Sequence, residues 1–550
     1  MTAREIRQNF LAFFAKKGHK IVPSSSLIPT DPSVLLTTAG MQQFKPYYLN
    51  PDLAEKDFGA KNVVSVQKSF RTSDIDEVGD DSHLTFFEML GNFSFGGYFK
   101  AEAIKLAHEF ITQELNLKID YVTIFSGDAQ TPRDEESKKI WQKLGLTDIR
   151  ECGRADNFWG PTGIEGPCGP TTEIYLSGKE IWNLVFNEYY CNISGQFEKL
   201  STPGVDTGMG LERLVMVAQA KNNIFETDLF APIIDKMIFG RRECESPPAR
   251  RIVADHLRAA AFLITDGVRP ANKGAGYILR RLIRRVVFYE VNALELLNLI
   301  VQLYRGQYPE LDQPEILTVF EDEKNKFNET LARGLRELNK FDAVDAPTAF
   351  RLFETLGLPY EVIKDYQHGA KAKNLKRADF DAEFKKHQEI SRAGMDKKFA
   401  GGLADHEPAT VRLHTAHHLL LAALKRVLGA DVKQRGSNIN QERLRFDFSF
   451  DRKLTDDEKQ QVENLTNQKI KENLSVIRKE MPRAEAEKLG AEMEFGAKYG
   501  ERVSVYSIGD FSLEFCGGPH VASTAELGHF KIIKEEAVAA GVRRIKAVLE

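Results

Sequence analysis

Short apolar runs broken by turn residues dominate the first part of the chain. Their spacing predicts strands at Val34–Thr38, Val63–Phe70, Leu84–Phe95 and Val122–Phe125, and helices over Ala3–Lys17, Ala101–Leu115 and Asp134–Leu144. Strands in neighbouring groups with helices between them imply a mixed, largely antiparallel sheet. A polar, proline-containing stretch at Glu243–Pro248 ends this block. From Ile252 the pattern turns helical, and a charged helical stretch over Lys371–Lys398 leads to a second break at Gly401–Gly402 and Pro408. A helix over Val411–Leu428 and alternating strands at Leu444–Phe450 and Arg502–Ile508 follow. The expectation is an α+β multidomain chain divided into residues 1–240, 241–400 and 401–550.

Composition adds limits. A length of 550 residues allows three or four domains at about 150 residues each. Lys and Arg number 75 against 79 Asp and Glu, a net of −4, which excludes a chain that coats nucleic acid by bulk charge. Locally the balance differs: residues 251–290 hold eight basic and three acidic side chains, a net of +5. Arg280, Arg281, Arg284 and Arg285 recur at i, i+4 and fall on one side of a helix. They are a candidate RNA phosphate-contact surface, with a solvated helix face as the plainer reading. Five scattered cysteines argue against a secreted disulfide framework and for a cytoplasmic setting. No apolar run approaches the roughly 18 residues that span a bilayer, so no membrane is expected as a partner.

Three motifs carry chemistry. His414 and His418 project from one face of a helix, while Cys516 and His520 flank a turn made sharp by two glycines. One thiolate and three imidazoles form a tetrahedral set suited to Zn²⁺, structural or catalytic. A bare HxxxH pair would more often be packing, and His417 between them reads as packing. Gly208-x-Gly210-x-x-Arg213 permits close backbone approach and offers an arginine to a polyanion. Arg71 ends one strand, and His83, Thr85 and Phe87 share one face of the next in a period-2 reading, so phosphates and a base could be met together.

Together these fragments resemble the class II aminoacyl-tRNA synthetases, most closely the alanyl-tRNA synthetase family. Phe70-Arg71…His83-x-x-x-Phe87 looks like motif 2, and Gly208-x-Gly210-x-x-Arg213 like motif 3. Further similarity lies in Thr85–Phe95, Asp156–Trp159, Gly166–Pro170, Trp182–Phe186, Ala254-Asp-His-Leu-Arg258, Tyr277–Arg281, Arg435-Gly-Ser437, Cys516-Gly-Gly and Ala540–Arg544. The resemblance implies a class II antiparallel sheet, a helical tRNA-recognition domain and an α+β zinc editing domain. It also implies ATP with Mg²⁺, alanine and tRNA-Ala as substrates. Arg71, Asp206 and Arg213 are implied as catalytic; Arg71, His83, Phe87 and Arg213 as ATP-binding; Trp159, Asn183, Asp206 and Gly208 as alanine-binding. His414, His418, Cys516 and His520 are implied as zinc ligands, Gln434 as an editing-site residue, and Glu354 as a loosely matched acceptor-stem contact, with Asn292 a gapped candidate beside it. The sequence departs from the family at Thr72 and Ser73, where a glutamate usually follows the motif 2 arginine, and at Pro519, where threonine is common. The β-barrel segment before the editing helix and the C-terminal module are not matched; the latter favours a monomer.

Overall fold

The computed structural model describes residues 1–30, 34–161, 165–241, 244–396, 403, 405, 407–492, 501–539 and 541–550. The break at Gly401–Gly402 lies outside them. The chain divides into two compact units, Met1–Asp381 and Ala382–Glu550, so segment 1–240 and most of segment 241–400 share the first, and the tail of the latter from Ala382 onward belongs to the second.

The first unit is built on a sheet of strands β1 (Lys20–Ile21), β2 (Asn62–Phe70), β3 (Phe86–Phe95), β4 (Tyr121–Phe125), β5 (Ile149–Cys152), β6 (Phe158–Trp159), β7 (Gly166–Leu176), β8 (Lys179–Cys191) and β9 (Phe197–Gly210). Their order is β1-β2-β3-β9-β8-β7-β4-β5, with β6 paired to β7 off this path. The five central strands from β2 to β7 pair antiparallel. Val34–Thr38 forms no strand, although Leu36 and Thr37 are buried.

Alternation divides this sheet into two faces. On the back, Trp182 of β8 meets Phe10 and Phe14 of the helix Ala3–Lys16, whose start is fixed by a Thr2–Glu5 capping box. Phe86 of β3 stacks on Phe262 of the helix Pro247–Thr265 at 4.1 Å between centroids. Glu88 also points to the back, where it accepts from Arg7 Nε at 2.7 Å and from the Tyr308 hydroxyl at 2.8 Å. The other face carries the candidate site.

In the second unit the helix Pro408–Leu428 is buried over Leu413 and Leu419–Leu424. It packs with a sheet in the order β10 (Gln434–Ile439), β11 (Leu444–Ser449), β16 (Val542–Leu549) and β15 (Phe530–Ala539). A second sheet joins β12 (Val476–Pro482), β13 (Arg502–Ile508) and β14 (Ser512–Phe515). Among the described residues no helix is long and apolar enough to cross a membrane, and none of the five cysteines is joined in a disulfide.

Candidate functional site

Register places the motif residues on the open face of the first sheet. Phe87 lies opposite Ser69, Met89 opposite Gly210, Asn183 opposite Gly208, and Asp206 opposite Val185. Two-residue steps then put Phe87, Met89, Asn183, Asp206, Gly208 and Gly210 on one side. Arg71, His83, Phe87, Gly208 and Arg213 line a single cleft together with Asp74, Met89, Glu180 and Glu212. The Arg71 guanidinium lies 5.0 Å from the centre of the Phe87 ring and has no carboxylate partner among the described residues. Arg213 lies in the first turn of the helix Leu211–Ala218 and reaches Glu180 at 3.5 Å, both side chains about two-fifths exposed.

His83 departs from the period-2 reading. β3 begins at Phe86, and His83 belongs to the preceding loop. Asp80 captures its backbone N–H at 2.8 Å and its Nδ1 at 2.5 Å. Despite partial burial, these bonds and the Ser82 N–H hold the Asp80 carboxyl below its usual range. The Asx-type cap competes successfully with strand pairing, yet His83 still lines the cleft.

Asp206 is buried with no counter-charge among the described residues, and burial pushes its carboxyl up to about 7. Beside it, the Asn183 amide nitrogen donates to Glu173 at 3.3 Å, which leaves Asn183 Oδ1 buried without a donor. Two acceptors on one sheet face, neither satisfied, suit a cationic group. Gly208 keeps this floor open: a Cβ there would lie 3.0 Å from Met89 Sδ. Trp159 sits on β6, opposite Gly169, and packs at the edge of the buried cluster to which Met41, Phe44 and Phe93 belong.

The arginine cluster requires a correction. Arg281 and Arg285 are buried: Arg281 pairs with Glu361, and Arg285 Nε bonds Asp365 at 2.7 Å. Arg284 and Arg280 share Glu323 at 2.8 and 3.1 Å. The helix Gly274–Phe288 therefore spends its positive charge inside the protein, because desolvated guanidinium groups require carboxylate partners, and it presents no free phosphate-contact face. Asn292 is likewise engaged: its oxygen accepts from Ile238 N and its nitrogen donates to Lys236 O. Glu354 is exposed on the helix Ala346–Leu356.

In the second unit, ligand atoms of His414, His418, Cys516 and His520 all lie within 4.8 Å of one another. Cys516 Sγ is 3.4 Å from His414 Nε2. Each imidazole is oriented through its other nitrogen. His414 Nδ1 donates to the Pro519 carbonyl at 3.0 Å, His418 Nδ1 meets Glu514 at 2.6 Å, and His520 Nδ1 faces Thr415 Oγ1 at 3.3 Å. The Nε2 atoms of His418 and His520 are buried without a hydrogen-bond partner. Burial opposes ionisation of the Cys516 thiol, but His418 and His520 outweigh it and bring it down to about 6. Inward-facing nitrogens, a thiol primed to ionise and an orienting outer layer fit a zinc ion. Glu514, invisible as a motif, is held in turn by Ser512 Oγ at 2.8 Å. Gln434 opens β10 and is nearly buried, and His417 packs its ring edge-on against Phe446 at 5.0 Å.

Comparison with known proteins identifies the family of the chain. Residues 5–425 match the family described as tRNA synthetases class II (A), and residues 503–546 match the threonyl and alanyl tRNA synthetase second additional domain. An alanine–tRNA ligase of Borreliella afzelii is 44% identical, with 100% of both chains covered. One from Treponema pallidum is 44% identical over 100% of this chain and 98% of its own length. One from Dehalococcoides mccartyi is 37% identical over 99% of this chain and 79% of its own.

Proposed function

Because the chain belongs to the alanyl-type class II tRNA synthetases, a family of ligases, we propose that it activates alanine with ATP and transfers it to tRNA-Ala in the cytoplasm. The alanine carboxylate attacks the α-phosphorus of ATP, and pyrophosphate leaves. A ribose hydroxyl at the tRNA 3′ end then attacks the carbonyl carbon, and AMP leaves. No covalent enzyme intermediate is needed, so positioning and charge stabilisation do the catalysis.

The observation that carries this reading is the unpaired Asp206 carboxylate on the same sheet face as the Arg71–Phe87 pair. Asp206 and Asn183 Oδ1 take the alanine ammonium, and Gly208 and Trp159 bound its methyl side. Arg71 draws charge from the α-phosphate, Phe87 stacks on adenine, and His83 and Arg213 face the outer phosphates. The carboxylates of Asp74 and Glu180 along the cleft are hard oxygen donors of the kind Mg²⁺ takes, whereas Glu212 is held by Arg258 at 2.5 Å. Adenylation belongs to residues 1–240, tRNA recognition to 241–400 with exposed Glu354, and editing to 401–550.

A methyl group separates alanine from glycine by only about 1–3 kcal/mol, and serine adds one hydroxyl, so a second hydrolytic site has a physical purpose. His414, His418, Cys516 and His520 hold Zn²⁺, which supplies the positive charge that organises this site. Glu514 fixes the His418 ring, and Gln434 contributes a polar side chain toward mischarged Ser-tRNA-Ala or Gly-tRNA-Ala. ATP–pyrophosphate exchange across alanine, glycine and serine tests the first activity; preference for either competitor over alanine overturns it. Hydrolysis of Ser-tRNA-Ala tests the second.

A further inference from the structure

The loop of residues 71–85 carries Arg71 and His83, and its ends are closed by the Arg71 N–H donating to Thr85 O at 2.9 Å. Three buried side chains link two points of this loop through the helices behind it. The Thr85 N–H and hydroxyl both donate to Asp255, at 2.9 and 2.6 Å. The same carboxylate lies 2.9 Å from His256 Nδ1, and His256 Nε2 faces Arg285 Nη1 at 3.4 Å. Arg285 Nη1 also donates to Ile75 O at 3.2 Å, inside the turn Thr72–Asp76, while its other nitrogens grip Asp365. An arginine can only donate, so Nε2 accepts and Nδ1 carries the ring proton toward Asp255; the tautomer is dictated by its neighbours.

We propose that Asp255, His256 and Arg285 form a positioning clamp that fixes both flanks of the 71–85 loop and thereby sets Arg71 and His83 for ATP. Asp255 and His256 are fully buried and Arg285 nearly so, which makes the bonds short of competing water. Helix packing alone would not require a charged side chain to reach a loop carbonyl as Arg285 reaches Ile75. The alanine contacts stand on the strand bodies of β6, β8 and β9, outside the clamp, so the two substrates respond differently to its loss.

The proposal rests on the assignment of the cleft to ATP, and the test separates the two. Variants of the full chain are His256→Asn, which keeps a donor near Nδ1 but loses the Nε2 acceptor, His256→Gln, and the peripheral Asp365→Asn. Hydrogen–deuterium exchange in the absence of ligands should show faster exchange in residues 72–85 for each variant. In ATP–pyrophosphate exchange, KM for ATP should rise about tenfold, the scale of one lost buried hydrogen bond, while KM for alanine stays unchanged. Loss of loop protection without wild-type exchange activity would sink the ATP assignment and keep the clamp. Unchanged loop protection in folded variants, or KM values for ATP and alanine that move together, overturns the clamp. If the His256 variants fail to fold, Asp365→Asn decides by the same two readings.

Discussion

Replacing Asp206 by asparagine tests the ammonium assignment through stability as well as activity. Burial raises this carboxyl from 3.8 to about 7. The unfolded chain loses the proton near pH 4, and the folded protein keeps it until about 7, so across that window the folded state binds more protons. Stability relative to the asparagine variant therefore falls as pH rises from 4 to 7 and stays level above. At 1.36 kcal/mol per unit, a rise of three units corresponds to on the order of 4 kcal/mol at pH 8. Calorimetry without alanine at pH 5, 6.5 and 8 should show the variant gaining an advantage that reaches several degrees in the melting of the first unit. Alanine should stabilise the wild type, since an ammonium neutralises the buried charge, and leave the variant unmoved. In pyrophosphate exchange the variant should lose about 10²- to 10³-fold in kcat/KM, the cost of breaking a buried charge pair. Equal melting of the two proteins at pH 5 and pH 8, with unchanged KM for alanine, would refute the reasoning.

Arg71→Ala should abolish alanine-dependent exchange without moving the melting temperature, because its guanidinium is exposed and supports no ion pair among the described residues; retained exchange contradicts its role. Cys516→Ser and His520→Ala should each lower zinc content by atomic absorption and end Ser-tRNA-Ala hydrolysis while exchange persists. Full zinc loading in both variants argues against the four-ligand set. Gly91→Ala should destabilise the protein by about 1–3 kcal/mol, since its Cβ would lie 2.6 Å from the Thr207 carbonyl oxygen and 2.5 Å from the Phe93 ring. A urea midpoint equal to the wild type's would contradict that packing argument.

Periodicity located β2, β3, β4 and the helix Pro408–Leu428 to within a few residues because each buries a continuous face or stripe. The grouping of His414, His418, Cys516 and His520 is also legible, since His414 and His418 share a helix turn and the glycines after Cys516 allow a reversal. Position within a loop was not. His83 reads as strand by alternation, and only the Asp80 carboxylate three residues earlier turns it aside. The arginines were misleading for a different reason. Spacing along a helix says which side chains are neighbours, but Glu323, Glu361 and Asp365, which absorb their charge, lie roughly 40 to 80 residues downstream. Glu514 escaped notice because an outer-layer partner needs no fixed spacing from the ligand it orients.

The two-faced sheet has a genetic consequence. Along β3, Phe87 and Met89 line the cleft, whereas Phe86, Glu88 and Leu90, which alternate with them, belong to the buried back layer. Alleles scanned residue by residue along this strand should alternate in phenotype. One class accumulates as intact but inactive protein that competes for tRNA; the next fails to accumulate and yields heat-sensitive growth. A mutational map of a single strand would thus carry a two-residue beat, with dominance and temperature sensitivity falling on opposite beats.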